Sequence, residues 1–203
     1  FSNTTASYNT AVGFQAGYSN STGTENQAFG HTALYLNTTG NYNNAFGRGA
    51  MYNNTTGSNN VAIGTQALVF NTTASNNTAV GYQAGYANTT GTNSVFIGRQ
   101  AGYSTTTVNA VTAIGDIAGF SNTTGQITAV GYAALTNNTT ASSNTGVGVA
   151  ALRYNTTGQY NTAVGDTALI SNTTASENTA VGYRSLRANT TGTANVALGA
   201  YAL

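Results

Sequence analysis

The chain has 203 residues, which is enough for one or two ordinary domains. Charged residues make up only 4% of it, against about a quarter in typical soluble proteins, and Pro, Cys and Trp are absent from the sequence. With a net charge of +1 and five scattered arginines, the chain lacks the basic clusters that bind nucleic acid. No apolar run approaches the roughly 20 residues of a membrane span, so we expect no membrane insertion.

A repeat of 17 residues runs through the sequence, and a glycine marks each copy. The one irregular step, from Gly115 to Gly131, is one residue short. Together with the unusual residues Thr105 and Val108, the residue missing near Gln126 predicts a local bulge. The marker glycines are Gly13, Gly30, Gly47, Gly64, Gly81, Gly98, Gly115, Gly131, Gly148, Gly165, Gly182 and Gly199.

The first and last repeats are as regular as the middle ones, although solenoids usually end in atypical capping repeats. We therefore interpret residues 1–203 as a single continuous repeat array that is a segment of a longer fibre, or a unit that stacks end to end into a filament.

Each column of the repeat has its own chemical character. The residue before the glycine is always apolar, and the one before that is Ala in ten of twelve repeats. Three residues after the glycine comes Ala in eleven repeats, followed by Leu, Met or Gly. Charged residues fall only in other columns, which should therefore face water. The apolar column consists of Val12, Phe29, Phe46, Ile63, Val80, Ile97, Ile114, Val130, Val147, Val164, Val181 and Leu198.

The repeat length and composition predict an all-β fold. Helical repeats need about 33 residues, and these segments are rich in Thr, Val, Ile, Tyr and Phe, which favour strands. We expect a parallel β-solenoid (β-roll) of about twelve 17-residue coils, each with two short strands and a tight loop. The absence of Pro agrees with this, because Pro would remove a donor from every ladder.

Neighbouring apolar columns predict a homo-oligomer. Successive residues of a strand point to opposite faces, yet Ala and the following Val, Ile or Phe are both apolar. Both faces would then be buried, and a lone coil encloses little, so the second face is predicted to pack against another chain, most simply in a trimer. Two alternatives stay open: Ala is tolerated on an exposed face, or the glycine bends the strand and resets its alternation.

Runs such as NTAVGYQAGYANTTGTNSVFIGRQAGY and YNTTGQYNTAVGDTAL resemble the N-T-A-V-G-Y repeats of phage tail fibres and bacterial surface fibres. More loosely, they resemble the head domains of trimeric autotransporter adhesins, whose repeat is shorter in the region of the N-T-T-G loop. The resemblance covers the whole chain. It implies an extracellular, cell-surface or virion fibre and no catalytic residue.

Seven residues after the glycine, an Asn begins an N-x-S/T sequon in nearly every repeat, the acceptor pattern for N-glycosylation. Two interpretations stay open: glycans on some of these Asn or Thr residues, or a ladder of hydrogen-bonded amides that needs Asn for the turn. The candidate glycosylation sites are Asn3, Asn20, Asn37, Asn54, Asn71, Asn88, Asn122, Asn138, Asn155, Asn172 and Asn189, and Thr105 replaces Asn in the remaining repeat.

The sequence offers no constellation for catalysis, so we expect no enzyme, cofactor or metal site. His31 is the only histidine in the sequence, so a His-based metal site or catalytic triad would lack its partners. Because the same column has Arg48 and Asp116 in other repeats, we expect His31 to be exposed. Asp116 and Asp166 lie three coils apart, too far for paired acid–base work. The expected function is a structural fibre. One alternative is an adhesin or receptor-binding head, with the Tyr column (Tyr18, Tyr35, Tyr52, Tyr86 and Tyr103) as a sugar-binding stripe. Ice binding is less favoured, because the two adjacent threonines of each N-T-T segment should point in opposite directions.

Overall fold

Each repeat forms one short strand that ends at the residue before its glycine. The computed structural model describes residues 4–203, and within them the chain is all-β without a helix. The strands are β1 Thr10–Val12, β2 Gln27–Phe29, β3 Asn44–Phe46, β4 Val61–Ile63, β5 Thr78–Val80, β6 Val95–Ile97, β7 Thr112–Ile114, β8 Ile127–Val130, β9 Asn144–Val147, β10 Thr162–Val164, β11 Thr179–Val181 and β12 Val196–Leu198.

The strands form one parallel sheet in sequence order, from β1 to β12. Equivalent residues of successive repeats face each other, so Ala62 pairs with Ala79, and Ile63 with Val80. Like residues therefore stack above like residues, which confirms the predicted parallel β-solenoid with a coil of about 17 residues.

The prediction of a second strand in each coil is wrong. After the glycine the chain turns, and two residues of each turn have left-handed backbone, as at Gln66 (φ 59°) and Leu68 (φ 49°). A strand has negative φ throughout, so these residues end its alternation. As a result, both Ala67 and Leu68 are buried in the solenoid, although they are neighbours in sequence.

The marker glycines are required by their close stacking. Gly81 has φ +134°, a conformation that L side chains rarely adopt, and a Cβ there would lie 2.5 Å from the carbonyl oxygen of Gly98. The neighbouring coil thus occupies the space that any side chain would need.

Large and small residues compensate each other in the core. Phe96 replaces the usual Ala and is fully buried; opposite edges of its ring face Gly85 and Gly102, in the column where most coils have Leu or Met. A Cβ on Gly85 would lie 2.6 Å from the Phe96 ring, and one on Gly102 would overlap it. Conversely, Gly146 replaces Ala where Leu135 packs closely. The exceptions to the consensus are therefore matched in space and preserve a filled core.

The short repeat produces no bulge, so that prediction is wrong. Thr112 pairs with Thr128, and Ile114 with Val130, in unbroken register. The residue that is missing between Gln126 and Ile127 belongs to an outer corner, where other coils have a left-handed residue such as Asn93 (φ 58°). The deletion removes a corner residue, and the register of the strands is left unchanged.

Candidate functional site

The asparagines of the sequons point inward and form a hydrogen-bonded ladder. The Nδ2 of Asn71 donates to the Oδ1 of Asn54 one coil away (2.8 Å) and to the carbonyl of Ala74 in its own coil (3.0 Å). Its own Oδ1 accepts from Asn88 Nδ2 (3.0 Å). Asn71 is fully buried, so both donors and the acceptor are satisfied inside the solenoid.

The same placement holds along the described chain. Asn189 is half-buried, and Asn3 lies outside the described residues. The other candidate glycosylation sites are buried: Asn20, Asn37, Asn54, Asn71, Asn88, Asn122, Asn138, Asn155 and Asn172. A sugar on these nitrogens would replace a hydrogen that is bonded in the interior. The structure therefore argues against them as acceptors in the folded protein and favours the interpretation as a structural ladder.

A second buried ladder was not predicted from the sequence. Asn43 and Asn60 precede their strands, and the backbone N–H of Asn60 donates to Asn43 Oδ1 (3.1 Å), while Asn43 Nδ2 donates to the Gly57 carbonyl (2.8 Å). The sequence does show an Asn that recurs just before most strands. Whether its side chain points into the solenoid or out to solvent could not be inferred without the geometry of the preceding turn.

Both ladders are interrupted in the same part of the rod. Thr105 replaces Asn in the first, so Asn88 Oδ1 and Thr105 Oγ1 are buried without a hydrogen-bond partner. Val111 and Ile127 replace Asn in the second, beside Phe96. The second ladder is therefore apolar at these two coils, whereas buried Asn resumes in the first at Asn122.

The two threonines of each N-T-T segment point in opposite directions, as predicted. Thr72 is half-buried, and its hydroxyl donates to the Thr89 carbonyl of the next coil (3.1 Å), whereas Thr73 is exposed. A single row of outer threonines thus follows the rod. These are Thr5, Thr22, Thr39, Thr56, Thr73, Thr90, Thr107, Thr124, Thr140, Thr157, Thr174 and Thr191.

Peptide mapping of protein from its native source should find the nine buried asparagines unmodified. The reason is that Nδ2 of each donates inside the solenoid, as Asn71 does. The half-buried Asn189 and the outer threonines serve as the exposed comparison in the same digest. Glycan on a majority of the buried asparagines would contradict the ladder interpretation.

A stripe of apolar side chains lies on the outside of the sheet. We call the column Val12, Phe29, Phe46, Ile63, Val80, Ile97, Ile114, Val130, Val147, Val164, Val181 and Leu198 the apolar stripe. Ile63 is 43% exposed and Ile97 38%, whereas the preceding residues Ala62 and Phe96 are fully buried. Alternation within the strands from β2 onward thus puts the residue before the stripe inside and the stripe outside, and none of residues 4–203 covers the stripe.

The tyrosine column forms ring stacks. Tyr18, Tyr35 and Tyr52 stack with centroids 5.0–5.3 Å apart, and Tyr86, Tyr103 and Phe120 at 4.8–5.0 Å. Because stacked rings cover each other's faces, the column presents mainly edges to solvent. This arrangement favours stabilisation of the coils over a continuous sugar-binding stripe.

Charged residues lie on the surface, as expected. His31 is exposed and stacks on Phe14 at 5.2 Å. Arg99 forms an ion pair with Asp116 in the next coil (2.9 Å). In the described range no three His, Cys, Asp or Glu side chains cluster to hold a metal ion. That range also has no helix of the length and apolarity needed to cross a bilayer.

Comparison of the chain with protein-family models, curated proteins and solved structures gave no match. The class of protein is defined by the fold: a β-solenoid repeat protein. In residues 4–203 it has two buried asparagine ladders and an apolar stripe on the outside of the sheet.

Proposed function

We propose that this protein is a structural extracellular fibre segment whose rods assemble side by side through the apolar stripe. The observation that supports this most directly is the row of exposed and half-buried Val, Ile, Phe and Leu side chains on the outside of a rod with only 4% charged residues. Contiguous apolar patches of this size on soluble proteins usually mark an interaction surface.

The geometry of the stripe favours another copy of the same chain as its partner. The stripe repeats once per coil, at about 4.8 Å, and a second solenoid repeats at the same interval, so side chains can interdigitate along its whole length. If each side chain leaves on the order of 50–100 Å² uncovered, twelve leave on the order of 600–1,200 Å², comparable with the about 800 Å² per partner of a standard interface. A trimer would bury the stripe around a common axis, as in the adhesin heads that the sequence resembles.

Self-association is testable in solution. Wild-type protein should sediment as an oligomer at micromolar concentration, and the double variant Ile63→Glu/Ile97→Glu should dissociate at least tenfold more readily, because it places charges in the stripe. The measurement is sedimentation equilibrium over a range of concentrations.

A matched control uses the same charge change on another face. Asn59 and Asn93 lie in the same regions of the chain at exposed corners with φ 58°, in the column that has Glu25 (φ 57°) elsewhere. Asn59→Glu/Asn93→Glu should leave the oligomer intact. A wild-type chain that stays monomeric, or equal effects of both double variants, would count against assembly through the stripe.

The adhesin and ice-binding alternatives have different support. Ice binding usually needs a flat array of several ranks of threonine, and here one rank is exposed beside a corner column of mixed Glu, Tyr, Asn and Ala. Adhesion needs a local recognition site on the otherwise uniform rod, and the interruption of the surface near Gly49 is the specific observation that favours it.

A further inference from the structure

A notch interrupts the regular surface of the rod between its second and fourth complete coils. It is open to solvent and encloses about 350 Å³. We define the notch by its lining residues, which are His31, Thr32, Arg48, Gly49, Tyr52, Gln66 and Val69.

The notch exists because Gly49 lacks a side chain in a column that others fill. Later in this column, Gln83 Nε2 donates to Gln66 Oε1 and Gln100 Nε2 donates to Gln83 Oε1, both at 3.0 Å. The run of amides stops at Gly49. Among residues 4–203 the Nε2 of Gln66 therefore has no acceptor and is left at the wall of the notch.

The polar groups around the notch are rich in donors. Arg48 is exposed and forms no ion pair with any residue that the structure describes, whereas Arg99 in the same column is paired with Asp116. No carboxylate lines the notch. A free guanidinium beside a free amide N–H₂ favours an anion, and a planar carboxylate fits the paired donors of Arg in particular.

One wall of the notch is apolar. Tyr52 stacks on Tyr35 (5.0 Å), but the next coil has Val69 in place of an aromatic ring, so the ring stack ends there. Pockets that bind small organic ligands combine such an apolar wall with a few placed polar groups.

We propose that the notch binds a carboxylate-bearing sugar, such as one unit of an acidic glycan. The guanidinium of Arg48 pairs with the carboxylate, the free amide of Gln66 donates to a ligand oxygen, and the carbon face of the sugar packs on Tyr52 and Val69. This site is independent of self-association, because its residues are not part of the apolar stripe.

The probes are D-galacturonate and D-galactose, which differ at C6 by a carboxylate in place of a hydroxymethyl group. In NMR titrations galacturonate should shift the resonances of Arg48, Gly49 and Gln66 with a millimolar Kd, and galactose should bind at least tenfold more weakly. Added salt should weaken galacturonate binding, because the site is exposed. Titrating the Ile63→Glu/Ile97→Glu variant as well separates ligand binding from assembly.

Two variants test the location. Gly49→Gln restores the amide column and should weaken binding at least tenfold; its φ of +64° is close to the 59° of Gln66, and a new Cβ would lie 3.8 Å from Gln66 Cγ, so the fold accepts it. Arg48→Gln should have a similar effect. The control Arg153→Gln removes an arginine that lies over the Tyr154 ring, away from the notch, and should leave the Kd unchanged.

Four results would overturn the proposal. Equal binding of galactose would remove the anion requirement, and unchanged binding by Gly49→Gln would place the ligand elsewhere. Acetate that binds as tightly as galacturonate would show that the notch recognises a simple anion and not a sugar. No saturable binding of galacturonate to either the wild type or the dissociated variant would also reject the site.

Discussion

Replacing Phe96 with Ala should lower the free energy of unfolding by about 3–5 kcal/mol, the usual cost of deleting a buried aromatic ring. Phe96 is fully buried, with 0% of its surface exposed to solvent, and its ring fills the space beside two glycines. Since Gly85 and Gly102 have no side chain to move into the gap, the cavity cannot collapse easily. Guanidinium titration of wild type and variant measures the difference.

The same cavity makes a sharper test possible. Gly85→Leu or Gly102→Leu alone should destabilise, because the new side chain meets the Phe96 ring. In the Phe96→Ala background both changes should stabilise, since they restore the Ala–Leu pairing of other coils at a φ (59° and 60°) close to that of Leu68 (49°). Such a reversal of sign defines coupling between the sites. Additive effects would contradict the packing described, and Thr90→Ala, at an exposed position, should change little.

Replacing Asn71 with Asp should cost about 3–5 kcal/mol at pH 7, because a carboxylate would be buried without a countercharge and would keep only the hydrogen bond from Asn88 Nδ2. Asn71 Nδ2 donates to Asn54 Oδ1 and the Ala74 carbonyl. In the Asp variant a negatively charged oxygen would take the place of Nδ2 and would be repelled by these two acceptor oxygens. The protonated acid can still donate one of the two bonds, so the neutral form is tolerated better.

The penalty should depend on pH in a defined direction. Burial and the facing acceptor oxygens raise the pKa of the introduced carboxyl above its unfolded value of about 3.9. The difference from wild type should then be smallest below about pH 4 and grow as pH rises through the folded-state pKa. Unfolding titrations at acid and neutral pH measure it. A penalty that is independent of pH would contradict the ladder, and Asn59→Asp, at an exposed left-handed corner, should be nearly neutral at both values.

The repeat made the architecture predictable, because a column that keeps one chemical character over many coils must occupy one environment. It also predicted correctly that the paired threonines point apart and that the charged columns face water. The second strand was predicted wrongly since Ala67 and Leu68 look like strand residues, while the left-handed φ of Leu68 depends on tertiary packing. The sequon pattern was ambiguous for a similar reason, because a recurring Asn is expected both at an exposed glycosylation site and in a buried ladder of hydrogen-bonded amides.

The exceptions to the consensus were harder to interpret. Phe96, Gly85 and Gly102 are 6 to 17 residues apart in sequence but adjacent in the core, so their compensation emerges only when the coils are stacked. In the sequence, Gly49 is one of several variations in its column. Only the structure shows that Arg48 and Gln66 line the space left by its missing side chain. Local departures from the repeat are therefore where structure adds most to what the pattern indicates.

The deletion between Gln126 and Ile127 has a consequence for engineering. Because the register from Thr112 to Thr128 survives the loss of a corner residue, the corner column is where changes in chain length are absorbed. Peptides grafted at equivalent corners, such as Asn76 or Ser143, would project from the solenoid, and grafts in successive coils would be displayed in a row about 4.8 Å apart.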